Sequence, residues 1–207
     1  MSSLILYTNP QSRGRIARWM LEEVGVPYET VVVDYGTTMK GADYLAVNPM
    51  GKVPAIVHDG KVVTECAAIC AYLAHVFADA ELGPKDDEAA DYFRWLFFAA
   101  GPIEQSVTNK AAGFVVPEGR ERMFGYGDGS LVLDVLDRHL ADRAYVCGDR
   151  FTAADVYVGA QVGWGMMFGT MDSRPSFEAY DERLKARPGL RRANQLDEAL
   201  IAQAQPA

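Results

Sequence analysis

Cysteine and histidine are scarce, three of each in 207 residues. Cys66, Cys70 and Cys147 are an odd number without zinc-type spacing, so the pattern supports neither a disulfide framework nor a metal site, and reduced thiols follow. His58, His75 and His139 are scattered, which argues against a nucleophile–base arrangement. Long apolar runs are missing as well. The longest, around residues 96–100, is far short of the ~20 residues of a membrane span, and the N-terminus has no signal-peptide pattern. A cytoplasmic protein with no membrane partner is therefore expected. Basic excess is also absent: Lys plus Arg number 20 against 28 Asp plus Glu, a formal charge of -8. A surface that tracks phosphates is excluded by that balance, and nucleic acid with it.

What is present suits an ordinary globular chain, 49% hydrophobic and 23% charged. At roughly 100 to 200 residues per domain, the length allows one large domain or two small ones. Residues 3–7 form a short apolar run closed by Thr8-Asn9-Pro10. Residues 15–24 then show helical periodicity through Ile16, Trp19, Met20 and Val24. A second strand over 28–33, parallel to the first, completes a βαβ unit. After an irregular stretch over 36–50, strands at 53–57 and 61–63 flank a His58-Asp59-Gly60 turn, and a helix follows over 65–77. The order is βαβ then ββα, a mixed four-stranded sheet of thioredoxin-like type. At 78–87 the composition shifts to Asp, Glu, Gly and Pro, and beyond it the pattern is helical, at about 88–110, 119–141, 152–167, 176–186 and 190–203. The reading is an α/β domain over 1–79, a linker over 80–86 and an all-α bundle over 87–207.

Three segments carry chemistry. In Asn9-Pro10-Gln11-Ser12-Arg13-Gly14-Arg15, a strand runs into a helix and Ser12 sits where an N-cap would. Its hydroxyl either satisfies an orphan amide of the first turn or, with the helix dipole, stabilises a bound thiolate. In Asn48-Pro49-Met50-Gly51-Lys52-Val53-Pro54-Ala55, a proline opens a strand and leaves the Val53 backbone free for an added strand. In Thr64-Glu65-Cys66-Ala67-Ala68-Ile69, helix amides suit a carboxylate and Glu65 an ammonium group. Read alone, Thr64 is a cap and Glu65 a first-turn acid.

With these segments in order, and Phe151-Thr152-x-x-Asp155 after them, the chain resembles the cytosolic glutathione transferases, of bacterial and serine type, along nearly its whole length. The resemblance implies an enzyme that binds glutathione as co-substrate, without a metal, and turns its thiol into a thiolate that attacks electrophilic, largely apolar substrates. It also implies a homodimer. By position, Ser12, Lys52, Val53, Pro54, Glu65 and Cys66 map to the glutathione-binding set, Cys66 standing where the family has a serine. Ser12 is the first candidate for the activating residue, Tyr7 the second and Asn9 the third. Arg13 and Arg15 raise the local positive potential and are given no catalytic role.

For the second substrate, Phe97, Gly101, Glu104 and Thr108 recur at i, i+4, i+7 and i+11, one continuous stripe on the first bundle helix. Trp164, Met167 and Phe168 are candidates to cover it from a later helix. Phe151-Thr152-Ala153-Ala154-Asp155-Val156 reads as a capping box with a hydrophobic staple, a folding element. Two other functions fit the same segments: a protein that holds glutathione or apolar ligands without turnover, and a specialised glutathione-dependent isomerase, dehalogenase or reductase.

Overall fold

The computed structural model describes residues 3–204; the outer ends of the two expected domains, residues 1–2 and 205–207, lie outside them. The chain divides into two compact units, one of residues 1–82 with 186–207, the other of residues 83–185.

In the first unit, strand β1 (Leu4–Thr8) alternates Leu4, Leu6 and Thr8 inward with Ile5 and Tyr7 on the opposite face. Helix α1 (Gly14–Val24) buries Ile16, Ala17, Trp19, Met20 and Leu21. It stops at Gly25, whose left-handed φ of 76° lets its N–H reach the Leu21 carbonyl at 2.9 Å. Strand β2 (Glu29–Val32) pairs parallel with β1, so the βαβ unit is present. The stretch expected to be irregular contains a short helix, α2 (Ala42–Val47), which buries Tyr44. Strands β3 (Ala55–His58) and β4 (Lys61–Thr64) form an antiparallel hairpin, its turn made by Asp59 and Gly60 at φ of 48° and 76°. β3 also pairs antiparallel with β1, giving the mixed order β2-β1-β3-β4. It begins two residues later than periodicity suggests, after a cis Val53–Pro54 bond, because Pro54 brings no N–H to a ladder. Helix α3 (Cys66–Val76) closes the motif.

The second unit is helical: α4 (Ala89–Phe98), α5 (Glu104–Ala111), α6 (Gly129–Leu140), α7 (Ala153–Met167) and α8 (Pro175–Lys185). The single helix expected over 88–110 is two. A π-helical turn at Ala99–Ile103, with Pro102 inside it, separates them, since proline has no N–H for the ladder and crowds the preceding turn. The helix expected from 119 begins at 129, after positive-φ glycines at 119 and 127. In α7 the Thr152–Asp155 capping box is formed.

The last helix, α9 (Pro188–Ala204), was grouped by sequence with the bundle, yet it packs on α1 of the first unit. Charge explains why periodicity did not show this. Running antiparallel, Arg15 meets Glu198 (2.9 Å), Arg18 meets Asp197 (2.8 Å) and Glu22 meets Arg192 (2.7 Å); just before α9, Arg187 meets Glu23 (2.7 Å). The Arg18–Asp197 pair is fully buried, and Arg18 also donates to Tyr28 Oη and Thr30 Oγ1. Among the described residues no helix is long and apolar enough to cross a membrane.

Candidate functional site

The strand register gathers the three segments. Tyr7 is opposite Ala55 and Ala55 opposite Thr64, so the end of β1, the start of β3 and the end of β4 lie at one end of the sheet. The chain leaves or enters that end through the 9–13 loop, Val53–Pro54 and Glu65–Cys66. The N-termini of α1 and α3 are joined there by a hydrogen bond from the Cys66 thiol to the Arg13 carbonyl at 3.7 Å.

Ser12 is not the N-cap of α1. That position is Arg13, with Ser12 one residue earlier. Its Oγ nevertheless accepts from the Gly14 amide at 2.9 Å and donates to the Asn9 carbonyl at 2.7 Å, so the hydroxyl both caps the first turn and closes the loop. Asn9 is buried and committed: Nδ2 donates to the Val33 carbonyl (3.1 Å) and Oδ1 accepts from Gln11 N (3.0 Å). Tyr7 is on the far face of β1, its ring 5.5 Å from that of Tyr44, within the cluster of Val33, Met39, Tyr44 and Ala55. Gly14 has no substitute here, because a Cβ would stand 1.9 Å from Thr8 Oγ1. Thr8 was missed by the sequence reading; its hydroxyl is buried and has no hydrogen-bond partner among the described residues.

The Val53 amide and carbonyl make no hydrogen bond among the described residues. The loop before Val53 is fixed by Asn48 together with Tyr44 and Lys40, two residues that the sequence did not single out. Tyr44 Oη and Asn48 Nδ2 both donate to the Lys52 carbonyl (2.5 and 2.8 Å), and Lys40 Nζ to the Gly51 carbonyl (2.6 Å). The Lys52 side chain itself is exposed. Their signal was the i, i+4 spacing of Tyr44 and Asn48, a helical mark inside a stretch too short to display a full period.

Glu65, not Thr64, is the N-cap of α3, and it is held at φ 65° and ψ 119°, a conformation that costs a residue with a Cβ about 1–3 kcal/mol. Its carboxylate is exposed and makes no hydrogen bond or ion pair among the described residues. The Cys66 thiol is buried and turned to the Arg13 carbonyl.

In the second unit, the π-helical turn breaks the expected stripe, because it inserts an additional residue between Phe97 and Glu104. Phe97 is exposed at the end of α4 and Gly101 is inside the turn. Glu104 opens α5 and accepts from Gln161 Nε2 (2.7 Å) and Tyr157 Oη (3.3 Å), so the structure brings it to α7. Thr108 is exposed, its hydroxyl donating to the Glu104 carbonyl at 2.6 Å. Trp164 is half-buried on α7, and Met167 and Phe168 at its end are exposed. Among the described residues no group of three or more His, Cys, Asp or Glu is placed to hold a metal ion.

The unpaired Val53 backbone thus lies at one end of a thioredoxin-like sheet, with the N-termini of α1 and α3. Residues 13–76 match the family model for the glutathione S-transferase N-terminal domain, and residues 132–192 that for the glutathione S-transferase C-terminal domain. Glutathione S-transferase 3 of Zea mays is 31% identical over 211 residues, 93% of this chain and 93% of that protein. A glutathione transferase structure from Methylococcus capsulatus is 32% identical with a TM-score of 0.79, covering 95% of this chain and 99% of the other. A sphingomonad glutathione S-transferase complexed with glutathione is 27% identical with a TM-score of 0.77, covering 94% and 98%. The chain belongs to the glutathione S-transferase family, and glutathione transfer is its class of reaction.

Proposed function

We propose that the first unit binds glutathione as an added strand on Val53, with the γ-glutamyl ammonium on Glu65, the adjoining carboxylate on the α3 amides, and the thiol over the 9–13 loop. The observation that carries this reading is Glu65, a strained residue whose carboxylate is left free at the end of the sheet where Val53 is also unpaired. Pro54 holds the strand open, Lys52 adds an exposed ammonium beside it, and Cys66 contributes its amide.

Ser12 is the activating residue of this reading. A thiol with pKa near 8.5 is a few per cent ionised at neutral pH, and a drop of about two units makes the thiolate dominant. The helix terminus supplies about 0.3–2 kcal/mol of this. The Ser12 proton already serves the Asn9 carbonyl, so donating to a thiolate exchanges a neutral bond of about 0.5–1.5 kcal/mol for a charged one of about 1.5–3. The net is about 1–1.5 kcal/mol. Ser12→Ala is therefore expected to raise the pKa of bound glutathione by about one unit and to slow turnover at neutral pH about threefold, with glutathione affinity little changed. Titration of thiolate absorbance in the enzyme–glutathione complex measures it; an unchanged pKa reduces Ser12 to a cap.

The electrophile belongs to the second unit, whose exposed Phe97, Met167 and Phe168, with Trp164, Gly101, Glu104 and Thr108, supply a largely apolar surface. The homodimer is supported by apolar residues left in solvent, Phe93 on α4 at 50% exposure and Met50 at 70%. A sedimentation mass of twice 22.7 kDa at micromolar concentration is the expected result, and a mass of one chain refutes it.

A further inference from the structure

Arg15 is given no catalytic role by the sequence, but its guanidinium is largely covered and forks. Nη1 donates to the Pro10 carbonyl at 3.3 Å, inside the 9–13 loop, while Nη2 donates to Asn194 Oδ1 (3.1 Å) and Glu198 Oε1 (2.9 Å) on α9. Pro10 follows directly on Asn9, whose carbonyl aligns the Ser12 hydroxyl at 2.7 Å. Two hydrogen-bonded links, joined by the Asn9–Pro10 peptide, thus connect α9 through one guanidinium to the Ser12 hydroxyl.

We infer that Arg15 is a positioning residue through which the C-terminal helix sets the geometry of the thiolate loop. The inference deepens the reading of that loop as the activating element and rests on it. Three observations select positioning over bulk stability. Glu198 is 63% exposed, and an ion pair so open to water contributes little to folding. The α1–α9 contact does not depend on it, since Arg18–Asp197 and Glu22–Arg192 hold the same two helices, with Glu23–Arg187 beside them. And a planar fork can hold the Pro10 carbonyl and the α9 acceptors together, which a single ammonium group cannot.

The test reads the pKa of enzyme-bound glutathione, with kcat and KM. Arg15→Met is expected to raise that pKa by about half to one unit and to lower kcat at neutral pH about 1.5-fold to threefold, while KM for glutathione stays within about twofold. The double variant Asn194→Ala with Glu198→Ala keeps the arginine and is expected to move the pKa in the same direction. Arg15→Lys keeps the charge without the fork and should follow Arg15→Met; if it behaves as the parent, the effect is charge alone and the inference fails. Glu22→Gln with Arg192→Met weakens the same interface away from the loop. It should lower the melting temperature and leave the thiol pKa in place; a pKa shift equal to that of Arg15→Met would reduce Arg15 to general packing. Ser12→Ala, measured alongside, separates the two claims. A shift there with none in Arg15→Met or in the double variant overturns the coupling alone, and no shift anywhere overturns both. A shift in Arg15→Met without one in Ser12→Ala upholds the coupling and assigns the thiolate to the loop amides.

Discussion

Glu65→Gly is expected to weaken glutathione binding about tenfold to a hundredfold while leaving the protein as stable as the parent or more so. The affinity loss follows from removing a free carboxylate that meets an ammonium group, a charged hydrogen bond of about 1.5–3 kcal/mol. The stability change has the opposite sign because of the backbone. At φ 65° and ψ 119° a residue with a Cβ carries about 1–3 kcal/mol of strain, which glycine does not. Against this stand about 0.4–1 kcal/mol for the greater freedom of glycine in the unfolded chain and about 0.3–1 for losing a negative charge beside a helix N-terminus. Taken at their midpoints, these contributions leave a gain of about 0.5–1 kcal/mol. Glu65→Gln retains the strained backbone and loses only the charge, so it should show the affinity loss without the gain. Calorimetric titration with glutathione and urea unfolding read the two quantities separately. Undiminished affinity in both variants removes Glu65 from the site, and a marked stability loss in Glu65→Gly removes the strain.

The largest stability effect is expected in the second unit. Asp155 is wholly buried and accepts four hydrogen bonds: from Val146 N (2.8 Å), Thr152 N (2.9 Å), Thr152 Oγ1 (3.1 Å) and Tyr180 Oη (2.8 Å). Burial pushes its carboxyl up to about 6, against the pull of those donors. Asp155→Ala strands the two amides and the tyrosine in surroundings that are themselves buried; only the Thr152 hydroxyl has another neighbour, Cys147 Sγ at 3.6 Å. With each stranded donor costing about 1–3 kcal/mol, partial relaxation leaves a loss of about 4 kcal/mol, a large share of the ~5–15 of a native protein. At about 2–4 °C per kcal/mol for a chain of this size, the melting temperature falls by about 10 °C. A loss under 1 kcal/mol in urea unfolding would mean that the four donors re-pair. Since none of these residues is in the glutathione-binding set, glutathione affinity should persist at temperatures where the variant is folded.

Asp155 also shows how far the sequence could be read. The Thr152–Asp155 box was visible because its members are three apart, where capping chemistry has a fixed spacing. Val146 and Tyr180, its other partners, are 9 and 25 residues away, distances at which no period exists. The same division runs through the rest of the chain. Asp59-Gly60 announced its turn and the 2.0 and 3.6 periods announced the sheet, α1 and α3. α2 is too short to show a period, and Pro102 was overlooked inside a helical pattern that it interrupts. In the site, residue types at strand–helix junctions pointed to Ser12, Val53 and Glu65. The cap shifts by one residue, the Cys66–Arg13 bond and the fork of Arg15 depend on where backbones meet, which spacing does not encode.

The association of α9 with α1 has a consequence for how the chain is made. Arg18 and Asp197 are 179 residues apart, so the acid can reach the guanidinium only after residues 83–185 have been made. Until then Arg18 lacks this countercharge, and the α1–α9 contact of the first unit is still to form. Residues 83–185 are continuous in sequence and free to fold as they emerge, reversing the usual order in which N-terminal units mature ahead of those behind them. Pairing over so long a loop places the completion of this unit among the slow, non-local steps of folding.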